Sequence, residues 1–162
     1  PMFFKNKLIF IYLFLLTGTI LLPGASSGTE EETIRVLVER TLARFNTFHH
    51  PEPESLKIRK CDIQLSEEGF LRYRRTYISG KQEYYSFNLS RLVSIDYFGN
   101  SISGELSMNT EEDDVIVQTF NDRSGDVDSM ATYFRLEVHG ITAEGLNDFQ
   151  KDLLEIRNRV NK

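Results

Sequence analysis

The stretch from residue 70 to residue 89, FLRYRRTYISGKQEYYSFNL, contains four of the seven tyrosines and three arginines. Side chains alternate between the two faces of a strand, so Arg72 and Arg74 share a face with Tyr84 when the two halves pair as a hairpin. Guanidinium groups beside a phenol can hold carboxylate or phosphate groups. The favoured interpretation is a solvated arginine face over an aromatic core. The alternative is an anion or carboxylate site at Arg72, Arg74 and Tyr84.

The hairpin register decides which of these side chains face the core. A three-residue turn at residues 79–81 places Tyr73 opposite Phe87 and Arg75 opposite Tyr85. This register collects the bulky apolar groups on one face, whereas a two-residue turn would mix the faces. We therefore expect Arg75 on the aromatic face, with its stem over Tyr85 and its charged head at the sheet margin.

Histidine and carboxylate residues cluster after the first predicted helix. His49 and His50 are adjacent and lie close to Glu52 and Glu54. A zinc site needs three or four convergent ligands, and neighbouring residues rarely point at one ion. We expect no metal site here, and we interpret both histidines as exposed residues near the negative end of a helix dipole.

An acidic loop contains carboxylates of the kind that bind calcium. The segment NDRSGDVDS contains Asp122, Asp126 and Asp128 around Gly125. An EF-hand loop needs acids at alternate positions, then glycine, then a distal glutamate, and this spacing does not match. A solvated loop is the favoured interpretation, with an irregular calcium site as the alternative.

Nucleophilic chemistry has no recognisable motif in this chain. The sequence contains no Gly-x-Ser-x-Gly elbow, no phosphate loop and no paired-cysteine motif. The single cysteine, Cys61, lies in a predicted strand among residues of buried type, where a thiol is usually inert packing. We expect no catalytic residue and no cofactor. The alternative is a small hydrolase or isomerase that uses His139 with acidic residues.

The first residues have the layout of a secretory signal. The segment KNKLIFIYLFLLTGTILLPGASSG has two lysines, then an apolar run, then small residues. The run from Leu8 to Leu22 is shorter than the roughly 20 residues that span a bilayer. We expect a cleaved signal over residues 1–27 and a secreted or periplasmic protein. Contact with a membrane would then require that the signal stays uncleaved.

Charge limits the partners. Residues 1–27 contain two lysines and no acid, so the remaining 135 residues carry 17 basic and 24 acidic side chains, a net charge of −7. An acidic domain repels phosphate backbones, so no nucleic-acid partner is expected. A chain of this length suits one domain with its own core.

The elements follow two periodicities. Residues 28–54 predict an N-terminal helix, capped by Thr29 with Glu32 and ending in a proline-containing linker. Residues 142–160 predict a closing amphipathic helix capped by Thr142. Alternating runs between them predict strands near 55–65, 69–78, 82–89, 93–98, 101–108, 114–120 and 131–139, with a bulge near residues 59–60. The predicted class is α+β, with an antiparallel sheet or partly open barrel of about seven strands.

This element order resembles the pleckstrin-homology-like barrel, in which seven strands in two sheets are plugged by a C-terminal helix. Within it, FNLSRLVSIDYFGNSISGELSM is similar to the fourth and fifth strands of GRAM-type modules. The chain also resembles uncharacterised secreted proteins of Bacteroidetes-type bacteria. The resemblance covers residues 55–162 and implies binding rather than turnover. The first hairpin loop, which is basic in lipid-binding members, contains Glu67 and Glu68 here, so no phosphoinositide binding is expected.

These observations favour a non-enzymatic domain, secreted or periplasmic, that binds an unknown protein or small ligand. Two alternatives stay open: the small hydrolase or isomerase that uses His139, and a structural subunit of an envelope assembly. In the structural subunit, the first helix would pack on a partner rather than on its own sheet.

Overall fold

The computed structural model describes residues 32–49 and 57–162. Several predictions fall outside these residues. They are the signal over residues 1–27, the capping role of Thr29, and the carboxylates at residues 52 and 54 beside His50.

In the described part of the chain, two α-helices flank the strands. Helix α1 spans Ile34–Phe48 and helix α2 spans Ala143–Val160. The first helix begins four residues later than predicted, because Thr33 is its cap and accepts a hydrogen bond from the Val36 amide at 3.4 Å. The predicted cap of the second helix is confirmed, since Thr142 accepts from the Gly145 amide at 3.0 Å. Neither helix has both the length and the hydrophobicity that a membrane span requires.

The described residues form eight strands, one more than predicted. They are β1 (Ile58–Leu65), β2 (Phe70–Tyr77), β3 (Gln82–Asn88), β4 (Leu92–Gly99), β5 (Ser103–Thr110), β6 (Val115–Phe120), β7 (Asp128–Ala131) and β8 (Tyr133–His139). All pairings are antiparallel, in a five-stranded sheet of order β1-β2-β3-β6-β7 and a three-stranded sheet of order β4-β5-β8. The α+β class is confirmed, and the sheets do not close into a barrel.

Strand β7 is the element that the sequence pattern misses. Aspartate and serine have low strand propensity, so Asp128 and Ser129 predict a loop. Pairing with β6 nevertheless holds them extended, with Asp128 opposite Gln118 and Ser129 opposite Val117. Only Thr132 separates β7 from β8, so one edge of the molecule continues from the five-stranded sheet into the three-stranded sheet.

The two helices pack against each other over the core. Phe45 of α1 meets Phe149 of α2 edge to face, with ring centroids 4.5 Å apart and an interplanar angle of 83°. Leu37 of α1, with Leu153 and Ile156 of α2, completes a buried stripe at helical spacing. The predicted apolar faces of both helices are therefore buried within this chain.

The β2–β3 hairpin corrects the predicted register by two residues. Its loop is residues 78–80, closed by the Tyr77 amide on the Lys81 carbonyl at 2.9 Å. Gly80 has φ +88°, the left-handed conformation that ends a three-residue hairpin loop, so glycine takes the last loop position rather than the middle one. Tyr73 therefore pairs with Tyr85, and Arg75 with Glu83.

A shift of two residues preserves the faces, because side chains alternate with period two. Leu71 and Tyr73 are buried as predicted, whereas Arg72 and Arg74 are exposed on the other face. The predicted bulge in β1 is also confirmed by the register shift between Ile58 and Lys60.

Candidate functional site

The predicted ligand residues lie together on the outer face of the five-stranded sheet. Arg74 is directly opposite Tyr84, and both line a shallow depression of about 60 Å³ with Arg72. Asp62 and Gln64 of the neighbouring strand complete this depression. The hairpin therefore brings the three predicted residues together, as the alternation of strand side chains requires.

Asp62 changes the electrostatics of this surface. Its carboxylate accepts hydrogen bonds from Lys60 and from Arg74, the latter at 3.0 Å, and these contacts hold the pKa of Asp62 below its ordinary value. An anion bound at Arg74 would have to compete with this carboxylate. The anion site at Arg72, Arg74 and Tyr84 stays a prediction, and β1 supplies a competitor that the hairpin sequence does not contain.

A larger concave site lies on the opposite side of the same sheet. This groove, named here the β8 groove, has a volume of about 440 Å³. Its floor is the inner face of the five-stranded sheet, and its wall is formed by side chains of β5 and β8. The lining residues are Arg75, Tyr85, Val117, Ser129, Ala131, Glu105, Tyr133, Arg135 and Glu137.

The wall of the β8 groove is an edge strand. β8 pairs only with β5 in the described part of the chain. Backbone bonds from Gly140 to Ile102 and from Thr110 to Thr132 direct the even-numbered residues of this segment towards β5. Antiparallel pairing alternates, so the amides and carbonyls of Tyr133, Arg135 and Glu137 point away from β5.

His49 bridges this edge to the five-stranded sheet. Its Nδ1 lies 2.8 Å from the Glu137 carbonyl oxygen, and its Nε2 lies 3.0 Å from the Tyr73 hydroxyl. A carbonyl oxygen only accepts, so Nδ1 carries a proton and donates it to Glu137. The prediction that His49 is exposed is wrong, since only 8% of its surface is accessible. The fold buries it in the gap between β2 and β8.

A hydrogen-bonded chain continues from this bridge towards the groove. Arg75 donates to the Tyr73 hydroxyl at 3.3 Å and to the Tyr77 hydroxyl at 3.4 Å. Tyr77 in turn donates to Glu83 at 2.8 Å. The Arg75 guanidinium lies 5.5 Å from the Tyr73 ring centroid, so it covers Tyr73. The sequence had predicted that Arg75 covers Tyr85. These hydrogen bonds fix Arg75 at the floor of the β8 groove.

Cys61 lies beside the same tyrosine. It forms no disulfide, and its sulfur is 3.3 Å from the Tyr73 oxygen. The thiol is partly buried and packs against the core, as its strand position predicts.

The buried Tyr73 hydroxyl gives a prediction for alkaline stability. Burial raises the pKa of Tyr73, and the contact with Cys61 acts in the same direction, while Arg75 opposes both. Above about pH 10, the ordinary tyrosine pKa, the unfolded chain releases this proton and the folded chain keeps it. The free energy of unfolding should therefore fall with rising pH. Tyr73→Phe should remove up to about 1.4 kcal/mol of that loss per pH unit.

Urea unfolding of the wild type and Tyr73→Phe, measured between about pH 9 and pH 12, checks this slope. Tyr133→Phe is the matched control, because it removes the hydroxyl of an exposed tyrosine and should retain the wild-type slope. If the free energy of unfolding falls with pH at the same slope in the wild type and in Tyr73→Phe, the prediction is wrong.

The acidic loop is held by an internal cation. The Lys81 ammonium lies 2.8 Å from Asp122 Oδ2, and this contact, with hydrogen bonds from Ser124, places the pKa of Asp122 far below its ordinary value. Within the residues described, no three histidine, cysteine, aspartate or glutamate side chains converge as metal ligands.

His139, the residue of the enzyme alternative, lies at the end of β8 opposite Ser103. Its Nε2 is buried and has no hydrogen-bond partner among the described residues. His139 does not belong to the lining of the β8 groove.

The sequence pattern does not reveal the β8 groove. Its residues come from β2, β3, β5, β6, β7 and β8, and they meet only because β7 and β8 pass from one sheet to the other. The one local signal is the Tyr-x-Arg-x-Glu alternation of β8. Compared with protein-family models, curated proteins and solved structures, this chain matches none.

Proposed function

We propose that this protein is a non-enzymatic binding domain whose ligand occupies the β8 groove. The observation that carries the proposal is the groove itself, a concavity of about 440 Å³ beside an edge strand. Ligand sites are concave, of this order of volume, and combine apolar or aromatic walls with a few placed polar groups. Here Tyr85 and Val117 supply the apolar floor, and Arg75 supplies a fixed polar group.

The two arginines of the groove are positioned before any ligand arrives. Arg75 is held by two tyrosine hydroxyls, and Arg135 by Glu105 at 3.3 Å. Side chains that are already fixed lose little conformational freedom on binding, which favours affinity. This arrangement supports recognition of a ligand.

Location and class are part of the same proposal. The signal-like layout of residues 1–27 supports a secreted or periplasmic protein. The order of elements supports a pleckstrin-homology-like binding module, and the acidic net charge supports a partner that is neither nucleic acid nor phosphoinositide.

A matched pair of tryptophan substitutions tests the site. Ser129 lines the groove, whereas the next residue, Met130, is exposed on the opposite face. Ser129→Trp should fill the groove and abolish binding, and Met130→Trp should bind as the wild type does. The probe is a panel of organic acids, amines, sugars and short peptides, titrated against isotope-labelled protein by NMR.

Binding should perturb the amides of Val117 and Ala131 in the wild type and in Met130→Trp, but not in Ser129→Trp. Equal binding by both variants would overturn the proposal. Perturbations centred on Arg72, Arg74 and Tyr84, lost in an Arg72→Ala/Arg74→Ala variant, would place the site on the outer face instead.

A further inference from the structure

Building on the proposed function, we infer that the ligand of the β8 groove is an extended peptide. It adds to β8 as a further strand and carries a basic side chain opposite Glu137. The inference rests on three features of the groove: the outward backbone groups of β8, the end stop made by His49, and the charge left unpaired in the wall.

The backbone of β8 selects the shape of the ligand. Tyr133 and Arg135 each present an amide and a carbonyl away from β5, and Glu137 presents its amide. Outward groups recur every second residue, a repeat of about 6.8 Å in an antiparallel strand. Another extended backbone carries donors and acceptors with the same repeat, which makes strand addition the matching mode of recognition.

His49 limits the length of the added strand. The Glu137 carbonyl already accepts from His49 Nδ1 at 2.8 Å, and the imidazole lies across the gap to Tyr73. A strand added from the β7 side must therefore stop at Glu137. The β8 groove begins on the near side of this stop, so the peptide backbone follows Tyr133–Glu137 while its side chains contact the groove.

The charges of the groove select the side chain. Arg135 is engaged by Glu105 and stacks over the Tyr133 ring, with its guanidinium carbon 4.5 Å from the centroid. Arg75 is engaged by tyrosines and by Glu83 at 3.6 Å. The exposed carboxylate of Glu137 has no ion pair among the described residues, so it is the charge left for a partner. Cross-strand neighbours of opposite charge attract, which favours lysine or arginine on the peptide.

Backbone methylation tests strand addition directly. The probe is the blocked pentapeptide threonine–lysine–valine–lysine–threonine, together with two isomers methylated on alternate sets of amide nitrogens. Only one edge of an added strand faces β8, so one methylated isomer should bind like the parent and the other should lose binding. Equal binding by the two isomers, or no binding of the parent at about 1 mM, would overturn the inference.

Charge substitutions test the basic side chain. Glu137→Gln should weaken the lysine peptide by up to about fivefold, the effect of one exposed ion pair. Glu144→Gln, the same change at an exposed position in the first turn of α2, is the control and should bind like the wild type. A glutamate-for-lysine peptide that binds as well as the parent would contradict the charge assignment.

The two proposals fail in different ways. If small compounds bind and Ser129→Trp blocks them while the pentapeptides do not bind, the groove is a ligand site but not a strand-addition site. If the pentapeptide binds equally to Ser129→Trp and to Met130→Trp, the β8 groove is not the site and both proposals fall.

Discussion

Replacing Phe134 with alanine is expected to lower the free energy of unfolding by about 4 kcal/mol. Phe134 of β8 is 1% exposed and is the centre of an aromatic cluster that joins the two sheets. The centroid of its ring lies 5.4 Å from the ring centroid of Tyr73, 5.5 Å from that of Tyr85 and 6.2 Å from that of Phe87. The substitution removes the buried ring and leaves a cavity whose walls belong to different strands, so the site collapses only partly.

Urea unfolding followed by circular dichroism measures this loss. Tyr133→Ala is the control, since it truncates the adjacent aromatic residue on the exposed face and should cost less than about 1 kcal/mol. A loss for Phe134→Ala below about 1.5 kcal/mol would mean that β8 does not depend on this cluster.

Replacing Asp152 with alanine should cost about 3 kcal/mol. Asp152 of α2 is only 6% exposed and binds two arginines of α1. Arg40 reaches it with two hydrogen bonds, at 2.7 and 3.2 Å, and Arg44 with one at 2.7 Å. Removing the carboxylate leaves both guanidinium groups without their shared partner at the helix interface. The expected cost is at the lower end for buried ion pairs, because both arginines retain contact with water.

Asp148→Ala is the matched control on the same helix. Among the residues described, Asp148 pairs only with Arg44, at 3.2 Å, and its side chain is 44% exposed, so its removal should cost less than about 1 kcal/mol. Both variants are measured by urea unfolding at neutral pH. Similar losses for the two would show that the buried position of Asp152 adds nothing to the pairing of the helices.

The sequence predicted most helices and strands because buried and exposed residues alternate along each of them with a regular period. Period two in FLRYRRTY separated buried Tyr73 from exposed Arg72 and Arg74, and the assignment survived a register error. Helical spacing correctly placed Phe149, Leu153 and Ile156 on the buried face of α2. The register itself was wrong because it depends on the conformation of one glycine, Gly80, rather than on a repeated pattern.

Contacts between distant residues could not be predicted in this way. His49 followed a predicted helix and was interpreted as exposed, yet it joins Tyr73, 24 residues later, to Glu137, 88 residues later. β7 has poor strand residues and is extended only because β6 pairs with it. The signal segment and the secreted location remain predictions.

The sequence by itself determined the α+β class, the faces of the strands and helices, and the meeting of Arg72, Arg74 and Tyr84 on one surface. These depend on the fixed geometry of single elements and of one hairpin. Only the tertiary structure decided that Asp62 pairs with Arg74, that His49 is buried, and that β8 is an edge strand beside a groove among the described strands. Those features arise where strands from distant parts of the chain meet, and residue spacing carries no information about which strands will become neighbours.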